Sequence, residues 1–196
     1  SVTQNTGSVE VTYTRVKDTG RHESRESNES INISGINTGG KSISTSSGLS
    51  SVTNGKGNEG DFQWEFSHAV TNVSFNIVDV DQDAIVKIKA FDTAGKQINI
   101  DLTAGSQVRL IDTDGKFGSD TGDSQLRGDN KPTAADSTMN VSIPGPVSRI
   151  LVEHSQDGKK NSGVIISDIF FDSPSNVVDN GVTGNDIIDG GAGDDI

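Results

Sequence analysis

Aspartate side chains at the ends of short apolar strands are the groups in this sequence most able to do chemistry. Between residues 73 and 115, Val, Ile and Phe alternate with polar residues, which predicts strands that bury one face. Carboxylates crowded at one edge need a counter-charge to stay ionised, and calcium prefers such oxygen ligands. The stretch therefore predicts a calcium-dependent β domain. Its aspartates at strand ends and turns are Asp79, Asp81, Asp83, Asp92, Asp112 and Asp114.

A long polar insertion predicts where a ligand binds. Residues 111–132, IDTDGKFGSDTGDSQLRGDNKP, form the longest irregular segment between clear strands, and such loops are often functional. Asp120 and Asp123 add to the predicted metal ligands. A calcium ion with an open coordination position accepts a carboxylate or vicinal hydroxyls, and arginine binds a carboxylate bidentately. The predicted ligand-binding residues are Asp112, Asp114, Lys116, Arg127, Asp129 and Asn130.

Each predicted metal ligand also has a simpler alternative. An aspartate at the end of a strand commonly forms an Asx-turn or caps the strand without binding metal. For any single aspartate both interpretations stay open, whereas the cluster as a whole favours calcium.

The composition restricts the classes of protein to which the chain can belong. The chain has 196 residues, which suits one domain with a buried core and a short appendage. Its net charge of −12 argues against nucleic acids and anionic membranes as partners, because both require a basic surface. It contains no cysteine, so disulfides and thiol chemistry are excluded. No apolar run reaches the length of a membrane span, so membrane insertion is not predicted.

The N-terminal residues favour a fragment of a larger protein. They read SVTQNTGSVE, which has neither the basic nor the apolar region of a signal peptide and no initiator Met. We therefore expect any export signal to lie outside this sequence.

Period-two alternation predicts most of the strands. Residues 61–67, DFQWEFS, place Phe62, Trp64 and Phe66 on one face, which is typical of a core strand, with a sugar-stacking platform as the alternative. Residues 17–30 and 46–60 are polar and predict exposed loops. Further strands are predicted at residues 8–16, 31–36, 41–45, 139–143, 148–154 and 163–171.

These strands predict the fold class. No segment carries the spacing of an amphipathic helix, and about ten short strands are separated by Gly, Asn and Asp turns. The prediction is an all-β protein: a β-sandwich of jelly-roll or Greek-key type with long loops.

The last residues repeat with a nine-residue period. Residues 181–196, GVTGNDIIDGGAGDDI, match the pattern GGxGxDxUx, in which glycines allow tight turns of a parallel β-roll. Asp186 and Asp195 would each supply part of a calcium site. This tail resembles the RTX repeats of bacterial proteins exported by type I secretion, although Val182 replaces one glycine. We therefore predict a sandwich over residues 1–175, a linker with the first repeats over 176–196, and secretion to the bacterial cell surface.

The sandwich resembles the modules that precede RTX repeats in large bacterial adhesins. The resemblance lies in WEFSHAVTNVSFNIVDVDQ, VKIKAFDTAGKQI and GVIISDIFFDS. In that family some modules bind sugars, and one calcium-dependent type binds a short peptide by its free C-terminus. The resemblance also implies metal-ligand roles: an acidic run after the central strand, a calcium loop and an aspartate in the closing strand. The matching residues are, in that order, Asp79, Asp81 and Asp83; Asp112 and Asp114; and Asp168.

The predicted function is calcium-dependent adhesion by a monomeric module that binds a peptide or protein C-terminus on a target cell. The first alternative is a calcium-dependent carbohydrate-binding module, for which Trp64 and Tyr13 are the candidates for stacking on sugars. The second is a structural extender domain. An enzyme is not predicted, because HExxH and GxSxG are absent and the three histidines have no partners nearby in the sequence. A glycosidase that uses two carboxylates stays open, since any two of the many acidic residues could form the pair.

Overall fold

Strands account for most of the chain that can be described. A computed structural model describes residues 1–175. Its strands are β1 (Val2–Asn5), β2 (Glu10–Thr19), β3 (His22–Ser27), β4 (Gly48–Asn54), β5 (Glu59–Val78), β6 (Ala84–Phe91), β7 (Gln97–Ile98), β8 (Asp101–Ala104), β9 (Val108–Ile111), β10 (Thr121–Ser124), β11 (Met139–Ile143), β12 (Val147–Gln156), β13 (Asn161–Ser167) and β14 (Phe170–Asp172), with one short 3-10 helix at Ala135–Ser137.

The strands form two antiparallel sheets that share β5. The first sheet has the order β1-β2-β5-β12-β6-β10-β9, and β7 pairs with β6. The second has the order β3-β4-β13-β5-β11-β8, and β14 pairs with β5. Asn72 marks the change of sheet within β5: its φ is 52°, and its N–H donates to the carbonyl of Pro144. A strand that changes sheets in this way forms a corner of the sandwich.

The core fills the space between the two sheets. Phe62, Trp64 and Phe66, from the first half of β5, are buried in the same hydrophobic cluster as Phe75 from its second half. Phe66 also packs edge-on against Phe171, with 5.1 Å between the ring centroids. Each fully buried side chain of this size stabilises the fold by roughly 1.5–3 kcal/mol. The prediction that the aromatic triplet belongs to the core is confirmed.

Residues 28–47 cover the outer face of the second sheet without forming strands. The strands predicted at residues 31–36 and 41–45 are therefore wrong. Backbone hydrogen bonds and side chains hold the segment together: the N–H of Asn32 donates to the carbonyl of Pro132, Asn76 of β5 donates to the backbone carbonyls of Asn32 and Ser34, and Ile31 packs in a small cluster with Val78. Asn32 also accepts the N–H of Ser34 in an Asx-turn. Such local hydrogen bonds compete with strand pairing.

Two segments predicted as exposed loops contain strands instead. Residues 17–30 include the end of β2 and all of β3, and residues 46–60 include β4. The chain turns from β2 to β3 near Gly20, whose φ is 68°. The buried positions of these strands hold polar side chains, among them His22, Ser51 and Thr53. Hydrophobic alternation is therefore absent, and a prediction based on it misses both strands.

The insertion predicted as irregular over residues 111–132 contains one complete strand, β10, which pairs with β6 and β9. Its sequence, TGDS, is polar, but Gly122 has a packing role. A Cβ at Gly122 would lie 2.2 Å from the Sδ of Met139, so a side chain there would displace this fully buried methionine.

The predicted all-β sandwich is confirmed. Within residues 1–175 no α-helix forms, and no helix has the length and apolar character needed to cross a bilayer. The predicted β-roll, with Asp186 and Asp195, falls in residues 176–196 and lies outside the described residues. The division of the chain between residues 175 and 176 stays a prediction.

Candidate functional site

The loop between β9 and β10 brings together three predicted metal ligands, Asp112, Asp114 and Asp120, which we call the hairpin cluster. One oxygen of each lies within 4.8 Å of the other two. Aspartate side chains shape the loop: Oδ1 of Asp112 accepts the N–H of Gly115 at 2.7 Å, and Oδ1 of Asp114 accepts that of Lys116 at 2.8 Å in an Asx-turn. Oxygens bound to one calcium ion stand within about 5 Å of one another, so the spacing and the donor chemistry fit calcium.

Asp120 has partners for its charge within the protein. Its carboxylate accepts hydrogen bonds from the hydroxyls of Thr113 and Thr121, and the Nζ of Lys87 lies 3.7 Å from Oδ2. Burial alone would raise the pKa of Asp120, but these hydrogen bonds and Lys87 outweigh it and hold the pKa below its ordinary value. Asp120 therefore stays ionised without a metal ion.

A second group, the inner cluster of Asp79, Asp81 and Asp129, lies where the chain passes from β5 to β6. Asp81 is only 1% exposed, and its Oδ2 accepts the N–H of Asn130, which brings the segment after β10 beside it. The Oδ1 atoms of Asp79 and Asp81 are buried and have no hydrogen-bond partner among the described residues. Two buried oxygens therefore lack the partners that buried polar atoms normally have.

The inner cluster carries negative charge that nearby groups do not offset. Burial, followed by the charges of Asp81, Asp129 and Glu29, raises the pKa of Asp79 to about 7. Burial also raises the pKa of Asp81 to about 6; the hydrogen bond from Asn130 opposes the rise and Asp129 adds to it. Carboxyl groups in such surroundings bind either protons or a cation at neutral pH.

An open cleft of about 720 Å³ lies at the end of β10 opposite the hairpin cluster. It is lined by residues 82–83, 123–125, 127 and 157–160, none of them aromatic. The side chain of Arg127 is 91% exposed, and its Nε lies 3.9 Å from Oδ1 of Asp83. Lys159 and Lys160 also line the cleft, whereas Asp123 is held by Arg109 at 2.6 Å. The cleft thus presents charges of both signs to solvent.

The predicted ligand-binding residues lie in three separate places, because β10 separates the hairpin loop from the segment that follows the strand. Asp112, Asp114 and Lys116 belong to the hairpin loop, Arg127 lines the cleft, and Asp129 and Asn130 lie at the inner cluster. The other predicted metal ligands are also apart: Asp83 and Asp123 line the cleft, and Asp168 is buried where it accepts the hydroxyl of Ser47 at 2.8 Å.

A chain of polar side chains, absent from the sequence predictions, runs from the exposed Asp18 through the buried His22 and Ser51 to His154. Oδ1 of Asp18 lies 3.0 Å from Nδ1 of His22, and Oγ of Ser51 lies 2.9 Å from Nε2 of His22 and 2.7 Å from Nδ1 of His154. Carboxylate, imidazole and hydroxyl follow the order of a serine-hydrolase triad. Ser51 is fully buried, however, and cannot meet a substrate. The chain therefore joins four strands rather than forming a catalytic site.

His154 makes the stability of the fold depend on pH. Burial, followed by the charge of His22, lowers the pKa of His154 to about 3, and its Nε2 has no partner within residues 1–175. In the unfolded chain this pKa is about 6.5. Because the folded pKa is the lower one, the contribution of neutral His154 to stability is complete above the unfolded pKa. It is lost as the pH falls toward the folded pKa.

Between about pH 7 and pH 4.5 the wild-type protein is expected to lose roughly 2–3 kcal/mol more stability than the variant His154→Gln, which does not titrate. Urea unfolding of both proteins at the two pH values measures this difference. Both proteins carry the same aspartates, so the contribution of those groups cancels. Parallel stability curves for the two proteins would show that His154 is not held neutral by the fold.

Comparisons with known proteins give likenesses at low sequence identity. No protein-family model matches the chain, and no curated protein matches it. The enzymatically active domain of tailspike protein 4 of bacteriophage CBA120 is 11% identical with a TM-score of 0.36; the match covers 83% of this chain and 19% of that one.

Two further solved structures match over nearly their whole length. TmCBM61, solved with β-1,4-galactotriose, is 11% identical with a TM-score of 0.35; the match covers 79% of this chain and 89% of that one. The K1 cleaved adhesin domain of Lys-gingipain from Porphyromonas gingivalis W83 is 9% identical with a TM-score of 0.33, covering 84% and 98%.

Proposed function

We propose that the chain is a calcium-dependent ligand-binding module of a secreted bacterial adhesin, which holds a short peptide by its free C-terminal carboxylate. The observation that carries the proposal is the cleft beside Arg127, whose volume of about 720 Å³ lies in the range of ligand pockets. A peptide end offers a carboxylate to the basic side chains of the cleft and backbone N–H groups to its carboxylates.

Arg127 is the residue proposed to bind the terminal carboxylate. Its guanidinium has five donors, and its ion-pair partner Asp83 stands at 3.9 Å, beyond hydrogen-bond distance. The planar guanidinium matches a carboxylate in a bidentate pair, which gives both strength and orientation. Lys159 and Lys160 add positive charge in the same cleft.

The lining of the cleft favours a peptide over a glycan. Sugar recognition commonly uses exposed aromatic rings, and no aromatic residue lines this cleft. Trp64 belongs to the core, and Tyr13 packs against it with ring centroids 5.6 Å apart. A glycan ligand remains the alternative that the binding experiment has to test.

Calcium is proposed as a structural partner of the module. At the hairpin cluster it would be held by Asp112, Asp114 and Asp120, where it would offset the charges of Asp112 and Asp114 and stiffen the β9–β10 hairpin. The net charge of −12 favours uptake of cations. The adhesin assignment and secretion rest on the nine-residue repeat of residues 181–196.

Replacing Arg127 with glutamine is expected to weaken peptide binding roughly tenfold to a hundredfold, because a charge-assisted hydrogen bond contributes about 1.5–3 kcal/mol. The measurement is titration calorimetry with peptides that have free or amidated C-termini, beside a glycan panel, with calcium and with EDTA. Amidation is expected to abolish binding by the wild-type protein.

The matched control is Lys116→Gln, which removes a positive charge from the hairpin loop at the other end of β10. It is expected to leave the peptide affinity unchanged. If Lys116→Gln weakens binding while Arg127→Gln does not, the ligand lies at the hairpin loop and the cleft assignment is wrong. Binding to glycans alone would replace the peptide proposal with a carbohydrate-binding module.

A further inference from the structure

The inner cluster holds buried negative charge without a positive partner. The Oδ1 atoms of Asp79 and Asp81 have no hydrogen-bond partner in the part of the chain that the structure describes, and Asp81 is almost completely buried. The charged groups that act on Asp79 are Asp81, Asp129 and Glu29, all of them acidic. Burying ionised carboxylates in this way carries a large desolvation penalty unless a cation compensates it.

The hairpin cluster differs on this point. Its buried member, Asp120, accepts hydrogen bonds from two threonine hydroxyls and stands 3.7 Å from the Nζ of Lys87. The protein itself therefore compensates the charge of Asp120 at one end of β10. At the other end, the charges of Asp79 and Asp81 have no positive partner among the described residues. The uncompensated negative charge at the inner cluster therefore favours a bound cation.

We infer that the inner cluster binds a divalent cation through Asp79, Asp81 and Asp129. The donors are all carboxylate oxygens, which are the ligands of calcium. The three carboxylates do not form a group as compact as the hairpin cluster. Asp129 is exposed and lies outside any strand, so its side chain can close on an ion held by the two buried oxygens.

Closure of Asp129 would fix the segment that carries Arg127. This segment is anchored at both ends: the carbonyl of Leu126 accepts the N–H of Asp83 at 3.3 Å, and the N–H of Asn130 donates to Asp81. Between these anchors, Arg127 and Asp129 are exposed. A cation bound to Asp129 would therefore order Arg127 at the cleft and raise the ligand affinity by preorganisation, a step that rests on the proposed function.

The first test titrates calcium alone into the wild-type protein and into Asp81→Asn. Asparagine keeps the shape and an acceptor for the N–H of Asn130 but removes the charge. The variant is expected to bind one calcium equivalent fewer and to melt at a higher temperature in EDTA, because repulsion within the cluster is relieved. Unchanged calcium binding, or a lower melting temperature in EDTA with an unchanged calcium shift, would overturn the inference.

The second variant, Asp129→Asn, changes an exposed residue and is therefore expected to keep the fold intact. Its calcium affinity at this site is expected to fall about tenfold or more. The control Asp112→Asn, in the hairpin cluster, is expected to retain the inner site. Wild-type calcium affinity in Asp129→Asn would show that Asp129 is not a ligand and that the cation does not order the segment.

These titrations contain no peptide, so they test the cation site independently of the proposed function. Calcium binding by the wild-type protein without any peptide binding would refute the proposed function and leave the cation site in place. If the protein binds calcium but its peptide affinity is the same in calcium and in EDTA, the coupling between the cation site and the cleft is refuted.

Discussion

Replacing Ser51 with alanine is expected to lower the free energy of unfolding by about 2–4 kcal/mol. The hydroxyl of Ser51 is the common partner of two buried nitrogens, Nε2 of His22 and Nδ1 of His154. Alanine leaves both nitrogens without a partner where Ser51 and His154 are fully buried. Each unsatisfied buried polar group costs about 1–3 kcal/mol, so the two losses together produce the expected effect.

Urea or guanidinium unfolding near pH 7.5 measures this loss. The matched control is Ser50→Ala, which removes a hydroxyl from the preceding residue of β4, a position that is only half-buried. The control is expected to change stability by less than about 0.5 kcal/mol. Equal losses in the two variants would show that the chain of polar side chains does not stabilise the sandwich.

Replacing Gly60 with alanine is expected to cost about 3 kcal/mol, at the upper end of what overpacking usually costs. A Cβ at this position would lie 2.1 Å from Nε2 of His22. The imidazole has no room to retreat, because Asp18 and Ser51 hold its two nitrogens and Phe62 packs against it with 5.7 Å between the ring centroids. Accommodating the methyl group therefore requires breaking the polar chain or shifting β5.

Gly163→Ala is the matched control for Gly60→Ala. Gly163 also lies within a strand, β13, but a Cβ there would meet its nearest neighbour, Cγ2 of Val52, at 3.7 Å, an ordinary contact. Its expected effect is within about 1 kcal/mol of zero. Thermal and chemical unfolding of both variants gives the comparison, and a Gly60→Ala protein as stable as Gly163→Ala would contradict the close packing of His22 on β5.

The sequence predicts those strands whose buried positions are apolar. In β6, Val86, Ile88 and Ala90 are fully buried on alternate positions, and this period of two is visible without a structure. β3 and β4 have no such pattern, because their buried positions include His22 and Ser51. Burial of those residues depends on hydrogen bonds to strands distant in the sequence, which local patterns do not encode.

The sequence likewise predicts some features of the candidate site and misses others. The residue types predict oxygen ligands and a polar ligand-binding surface, and the structure brings three of the aspartates together in the hairpin cluster. The sequence could not predict that Lys116 and Arg127 lie at opposite ends of β10, because the short polar strand between them looks like a loop. It also gave no sign that residues 157–160, from the turn between β12 and β13, line the cleft.

Because the two sheets share β5, we expect them to unfold together. β5 pairs with β2 and β12 in its first half and with β11, β13 and β14 in its second half. Neither layer can detach without breaking pairing along a strand that the other layer needs. We therefore expect the sandwich to unfold as one cooperative unit, in which amide hydrogens at the two ends of β5 exchange with solvent through the same global opening.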